Sequence, residues 1–314
     1  MKRAKPNLIV LFKEGGLNSY PFNIPVYRES YKDLCKLVAR YFSIYIVRGL
    51  SHYRGRGIFE GCFHYERGKL KYNPRRVKAS VVFNKGDMMS NGGRDWTVVN
   101  KGGLMRVANQ KNVTHQVFAR WMKSAYRVTT KSGCQRALQK VRGAMAVFKP
   151  VEGKEGEGVV ISEKGSLLKR LNRYNGLIEE FIDTSGGFAK HHFAAHDLRM
   201  TMMDGVIVET YLRTPPAGSL VANVARGGSI HMLTPQSLPR SARQLARKVD
   251  RMLARYHHRV YSVDVGYEGK RPYIIEINGE PGLPFKRDSR AVYRRWHRTL
   301  LNVFLACVRD TRIK

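Results

Sequence analysis

Ser262-Val263-Asp264 and, beyond it, Ile275-Glu276-Ile277-Asn278-Gly279-Glu280-Pro281-Gly282 place acidic side chains inside two apolar runs that read as neighbouring strands. Side chains along a strand alternate between faces, so Glu276 and Asn278 share one face. A neighbouring strand would bring Asp264 beside them. Burying an unpaired charge is costly, so carboxylates in such strands need a partner. Two carboxylates and an amide are hard oxygen ligands of the kind Mg²⁺ takes together with phosphate and water. The competing reading is an ion pair with one of the chain's many arginines. Three hard ligands converging just before the 279–282 turn weigh towards the metal.

Upstream lies Phe148-Lys149-Pro150-Val151-Glu152-Gly153-Lys154-Glu155-Gly156-Glu157-Gly158-Val159-Val160. A strand delivers a lysine, a glycine-rich turn follows, and a strand resumes. Glycines let backbone N–H groups converge on phosphate oxygens, and the lysine adds a positive charge. No Gly-Lys-Ser/Thr leads into a helix, so this is not a Walker loop. Taken alone, a hairpin with a glycine-rich tip reads the same way. Between the two stretches fall Arg199 after Asp197-Leu198, Arg213 at the end of an apolar run, and Arg226 before Gly227-Gly228. Arginines on consecutive strands can clamp a phosphoryl group or a carboxylate.

Further out, strands are expected at 8–12, 43–47, 79–83 and 96–99, with a helix over 31–41. This alternation predicts an α/β unit over the first hundred or so residues. The Tyr-, Arg- and Gly-rich segment 53–76 reads as turns and a basic hairpin; its Gly55-Arg56-Gly57 lacks the spacing of a dinucleotide fingerprint. From 105 on, the periodicity predicts helices over 112–123, 135–141, 239–256 and from about Arg290. Strands are predicted at 126–128, 144–149, 158–161, 177–182, 198–203, 206–210, 260–265 and 273–277.

The chain has 314 residues, 43% of them hydrophobic, enough for one large domain or two or three small ones. Its 57 Lys and Arg against 24 Asp and Glu give a formal net charge of +33. Such a field favours nucleotides, acidic peptides or nucleic acid as partners. The cations are spread along the chain with no long block, which also fits a merely basic solvated surface. The cysteines, Cys35, Cys62, Cys134 and Cys307, make no metal or redox motif, and a reduced cytoplasmic protein is the simplest expectation. The run 8–12 is too short for a signal peptide, and no stretch approaches the ~20 apolar residues of a membrane span.

Taken in order, these motifs resemble the ATP-grasp superfamily, and within it the RimK-like glutamate ligases and their glutathione synthetase relatives. The resemblance covers roughly 109–283. It rests on Lys149 with the glycine-rich loop, Ile178-Glu179-Glu180-Phe181-Ile182, Asp197-Leu198-Arg199, Asn223 with Arg226-Gly227-Gly228, Asp264, and Glu276-Ile277-Asn278 with Pro281-Gly282. It implies an ATP-grasp fold of mixed α/β and α+β character. An N-terminal pre-ATP-grasp α/β domain (1–105) would precede a small lid subdomain (106–178) and a C-terminal α+β subdomain (179–314). It further implies a carboxylate–amine ligase using ATP and Mg²⁺ or Mn²⁺ through an acylphosphate, with glutamate addition to a peptide, an acidic protein tail or a small molecule.

By the same resemblance Lys149, Lys111 and the loop glycines Gly153, Gly156 and Gly158 would meet ATP phosphates. The hinge Glu179, Glu180, Phe181 and Ile182 would meet adenine. Asp264, Glu276 and Asn278 would hold the metal, and Arg199, Arg213 and Arg226 would serve catalysis. Three features depart from the pattern: Val221 stands where an arginine is usual, Glu280 replaces a small residue, and the 183–196 loop, with Lys190, His191, His192 and His196, is long. Two other readings stand beside the ligase: an ATP-grasp kinase of a phosphorylated small molecule, and a basic nucleic-acid- or ribosome-associated protein.

Overall fold

The structure is a computed structural model that describes residues 4–313 except 87, 88, 90, 152–155, 189–194, 221 and 223–226. The apolar run at the start forms β1 (Asn7–Phe12), buried along almost its whole length. Only the middle of a sheet covered on both faces accepts such a run. The helix α1 (Pro25–Val38) and strand β2 (Ser43–Arg48) follow. Then come β3 (Ile58–Phe59), the hairpin β4 (Cys62–Glu66) and β5 (Lys69–Asn73), β6 (Val77–Lys78), β7 (Val81–Lys85) and β8 (Thr97–Val99). The first sheet has the order β5-β4-β2-β1-β7-β8, with β2-β1-β7-β8 parallel and the hairpin antiparallel at one edge. The helix expected from residue 31 begins at Pro25, because a proline at the first helical position has φ already set.

A second sheet is wholly antiparallel, in the order β11-β10-β12-β9. It is preceded by two short helices, α2 (Gly102–Asn109) and α3 (Lys111–Phe118), where one helix over 112–123 was expected. Gln110, at φ −98° and ψ 104°, is extended and separates them. The first escaped the sequence because Gly102-Gly103 reads as a turn. Gly103 instead allows close packing: a Cβ there would lie 2.6 Å from the Tyr256 ring. The sheet comprises β9 (Ala125–Val128), β10 (Met145–Pro150), β11 (Val160–Glu163) and β12 (Gly176–Glu180). The helices α4 (Lys131–Lys140) and α5 (Lys164–Leu167) complete this layer; α4 is capped by Thr130 Oγ1, which accepts the Gly133 N–H at 3.1 Å.

The third sheet, also antiparallel, has the order β15-β14-β13-β16-β17. Its strands are β13 (Asp197–Met203), β14 (Val206–Thr214), β15 (Ser229–Leu233), β16 (Val260–Glu268) and β17 (Arg271–Asn278). One face carries Leu198, Met200, Met202, Leu212, Val263 and Val265 into a core closed by Leu245, Val249 and Leu253 of α6 (Arg240–Leu253). Met252 of the same helix is 37% exposed. Arg240, Arg247 and Arg251 of the same helix face solvent.

The last helix, α7 (Arg290–Ile313), buries Trp296, Leu300, Phe304 and Cys307 in the core of the first sheet. The same core takes Met203, Val208 and Val260 from the third sheet. Asn100 fastens the two sheets again. Its Nδ2 donates to the carbonyls of Val260 and Gly279, both at 2.8 Å, and its Oδ1 accepts the Val260 N–H at 2.7 Å. All four cysteines are free and buried. No helix among the described residues is long and apolar enough to cross a membrane.

Because Trp296 is fully buried where the two sheets meet, Trp296→Ala is expected to destabilise the chain by about 3–5 kcal/mol, read from urea denaturation. A change below about 1 kcal/mol would show that α7 is not part of a shared core.

Candidate active site

The polar face of the third sheet is built in cross-strand rows. Register pairs Tyr211 with Arg199, Arg199 with Asp264, and Asp264 with Glu276, so one row runs across four strands. The next row pairs Glu209 with Thr201, Thr201 with Ser262, and Ser262 with Asn278. Asp197 and Arg213 pair on the other side. The alternation of strand side chains explains the arrangement: 197, 199 and 201 share a face, as do 209, 211 and 213, then 262 and 264, then 276 and 278. Asp264, Glu276 and Asn278 thus come together as the sequence led us to expect.

Asp264 is also in ion pairs. Arg199 grips it with two bonds, Nε to Oδ1 at 2.6 Å and Nη2 to Oδ2 at 2.5 Å. Arg213 Nη2 donates to Asp264 Oδ2 at 2.6 Å and to Asp197. The two readings weighed on the sequence therefore meet in one carboxylate. Burial would push the Asp264 carboxyl up, but the guanidiniums of Arg199 and Arg213 overcome it and hold it below the usual carboxylate range. Asp197 goes the other way: burial outweighs the pull of Arg213 and lifts it to about 7. Glu276 keeps 45% of its side chain open, and its Oε1 lies 3.5 Å from Arg199. Its pKa is raised, first by burial of the carboxyl and then by the charge of Asp264.

These residues fit a divalent cation. Glu276 and Asn278 line the cavity, and Asp264 stands behind them, opposite Glu276 in register and held by Arg199 and Arg213. Among the described residues no cluster of three or more His, Cys, Asp or Glu could hold a metal. For a Mg²⁺ ion the protein's share would be two carboxylates and the Asn278 amide, and other oxygen ligands such as phosphates would have to complete the shell. Asn278 Oδ1 also accepts the Glu280 N–H at 2.8 Å, which fixes the turn after β17.

The face opens on a cavity of about 860 Å³ between the second and third sheets, extending to the first. Lys149 leaves β10 on the side opposite the buried Phe148. Its Nζ lies 2.6 Å from Glu179 Oε2 and donates to the Ile275 carbonyl at 3.1 Å. Lys111, at the start of α3, lines the same end, and burial lowers its pKa. Glu180, Phe181 and Ile182 line the wall beside them. Gly156 and Gly158 have φ of 74° and 67°, conformations that favour glycine, and a Cβ on Gly158 would collide with Arg173. Gly153, Asn223, Val221, Arg226, Lys190, His191 and His192 lie outside the described residues. His196 is buried against Phe188 and Tyr267, and its Nε2 accepts the Tyr267 N–H at 3.3 Å, a packing role. Glu209 and Tyr211, which the sequence did not single out, line the cavity too. Their signal was the alternation 209, 211, 213 leading to Arg213.

Comparison with known proteins matches residues 108–291 to the RimK-like ATP-grasp domain, more than half of the chain. The chain belongs to the RimK-like ATP-grasp family. Among curated relatives of this RimK-like chain, a "Probable alpha-L-glutamate ligase" of Shewanella halifaxensis (strain HAW-EB4) is 32% identical over 152 residues. That match covers 46% of this chain and 30% of the relative. A protein of the same description from Thioalkalivibrio sulfidiphilus (strain HL-EbGR7) is 32% identical over 154 residues, 46% of each chain. The chain thus spans less than half the length of these curated relatives. The ATP-grasp ligase PsnB complexed with its minimal precursor shares the fold at TM-score 0.61 and 11% identity, over 96% of this chain and 99% of that one. D-cycloserine synthetase DcsG does so at TM-score 0.58 and 13% identity, over 94% and 99%. The ATP-grasp architecture expected from the motifs is the observed one.

Glu209 makes a pH prediction. Burial lifts its carboxyl to about 7, against the hydrogen bond from Thr201. Unfolded, it would ionise near 4.3, so between these values the native state holds a proton that the unfolded state has lost. Stability should therefore fall as pH rises from about 4.3 to about 7, by up to about 4 kcal/mol for this group. Glu209→Gln is expected to remove that decline and to be the more stable protein at about pH 8. Parallel urea stability curves for the two proteins from pH 5 to 8 would show that Glu209 is not buried as a neutral acid.

Proposed function

We propose that this chain is an ATP-dependent carboxylate–amine ligase that joins an amino acid, glutamate in the first instance, to a carboxylate on a peptide, a protein tail or a small molecule. The observation that carries the reading is the cross-strand row of Arg199, Asp264 and Glu276, of which Arg199 and Glu276 line a cavity whose other wall bears Lys149 and Lys111. Glutamate is taken from the name its curated relatives share.

In this reading residues 106–178 form the lid and 179–314 the floor of the nucleotide site, with 1–105 as the accessory domain. Lys149 gives up Glu179 for ATP phosphates, and Lys111 adds a second charge. The wall at 179–182 takes the adenine. Asp264, Glu276 and Asn278 would hold Mg²⁺ or Mn²⁺, which supplies charge neutralisation at the transferring phosphoryl group. A substrate carboxylate oxygen attacks the γ-phosphorus, the bond to ADP breaks, and an acylphosphate forms. Arg199 and Arg213 keep a positive field along the sheet face for the charge that develops. The amine then attacks the acyl carbon and phosphate leaves. No side chain need become covalently attached to substrate.

The test is incubation with ATP, Mg²⁺, L-glutamate and a peptide ending in glutamate, with products weighed. Expected are ADP, free phosphate and a peptide heavier by one or more glutamyl residues. Phosphorylated product without phosphate release would indicate the kinase instead. Glu276→Gln should slow ADP formation by about a hundredfold or more, while ATP binding is largely kept; near-wild-type ADP formation would sink the metal assignment. Lys149→Ala should weaken ATP binding by about 1–3 kcal/mol in calorimetry, the loss of one charge-assisted contact.

A further inference from the structure

Glu209 stands apart from the other buried carboxylates of this face. Asp264 and Asp197 are each gripped by arginine, whereas Glu209 makes no ion pair among the described residues. Its one hydrogen-bond partner there is a hydroxyl, Thr201 Oγ1, at 3.1 Å. In a chain with 57 Lys and Arg, a carboxylate that lines a cavity yet forms no ion pair among the described residues is unexpected. The residue is 7% exposed, so bulk water does not replace the missing partner.

The surroundings are well defined. Arg199 and Thr201 face Glu209 from β13, and Tyr211 follows it on β14. Asp288, just before α7, and Arg295, on α7, also act on it electrostatically. Arg295 directs its Nε to the Val208 carbonyl at 2.9 Å. Asp288 lines the cavity as well and adds a second carboxylate at this end, its Oδ1 3.5 Å from the solvent-exposed Arg287. The cavity is therefore divided. Lys111, Lys149, Arg199 and Arg213 make one part fit for phosphates and a carboxylate, while Glu209 and Asp288 make the other fit for a cation.

We propose that Glu209 receives the protonated amino group of the amine substrate and takes the proton that the amine sheds as it attacks. This rests on the ligase reading above. Thr201 and Arg199 are two residues apart on one strand, about 7 Å along it, so a nitrogen held by Glu209 lies within one substrate's length of the Arg199–Asp264 row. The step balances. The ammonium passes one proton to the Glu209 carboxylate, the nitrogen lone pair forms the C–N bond with the acyl carbon, and the second proton shed by the nitrogen goes to the departing phosphate. The carbon–oxygen bond to phosphate breaks, and phosphate leaves with the electron pair. A carboxyl whose pKa burial has lifted to about 7 is matched to that transfer at neutral pH.

Two readouts in one protein separate this inference from the ligase reading. Exchange of ¹⁸O between the β,γ-bridge and the β-nonbridging positions of ATP, with a glutamate-ended peptide and no amine, reports carboxylate activation. Peptide extension with L-glutamate reports amine capture. In Glu209→Gln, exchange is expected to stay within about threefold of wild type, while extension falls about thirtyfold or more, mainly through a higher KM for L-glutamate. The wild-type rise of kcat/KM with pH through about 7 should vanish. Thr201→Val, which keeps the charge but removes its hydroxyl donor, should move that rise to higher pH. Extension within threefold of wild type with the same pH profile would overturn the assignment, and so would loss of exchange together with extension. A wild-type protein that shows neither reaction would overturn the ligase reading, and this inference with it.

Discussion

A fully buried carboxylate inside an antiparallel sheet sets the terms for the rest of this molecule. Asp264 can be ionised there only because Arg199 reaches it from the neighbouring β13 and Arg213 from β14 beyond it. Such a pair gains little net stability when complete but leaves an expensive orphan charge if one partner is lost. The strands must therefore keep a register that sets Arg199 opposite Asp264 and Asp264 opposite Glu276. The opposite face, packed on α6, resists a one-residue slip, since that would bring every apolar side chain into the cavity. Packing on one face thus fixes the chemistry on the other.

The same logic explains how much could be read from the sequence. Carboxylates set within apolar strands were visible as a contradiction between burial and charge, and the alternation of side chains told which of them share a face. Lys149 was legible because a strand delivers it directly into a glycine-rich turn. Glu209 was not, because a lone acid in Val206-Ile207-Val208-Glu209-Thr210-Tyr211 reads as an ordinary solvent-facing position until β13 and β14 are paired. The engagement of Asp264 by two arginines was likewise a matter of register, which spacing alone does not reveal. Helix α2 was hidden by its two glycines, of which Gly103 packs against Tyr256, more than a hundred residues away in the chain. Local signals thus reported local geometry well and long-range closeness poorly.

The basic composition now divides into parts. Some cations are built into the site and its supports, as Arg199, Arg213 and Lys149 show. Lys85 donates to the Pro281 carbonyl at 2.6 Å and so ties the first sheet to the turn that follows Asn278. Others, such as Arg240, Arg247 and Arg251, lie on a solvent-facing stripe of α6. That stripe adds to a long-range field that draws anionic partners and weakens as salt rises.

What unites these observations is the idea that the cavity activates a carboxylate by phosphorylation before an amine reaches it. The most direct measurement follows an oxygen atom. A peptide whose terminal carboxylate carries ¹⁸O is given to the protein with ATP, Mg²⁺ and L-glutamate, and the released phosphate is analysed by mass. Transfer of one ¹⁸O per turnover from peptide to phosphate is the expected result, because the carboxylate oxygen that attacks the γ-phosphorus leaves with it. Extension of the peptide with release of wholly unlabelled phosphate would overturn the assignment.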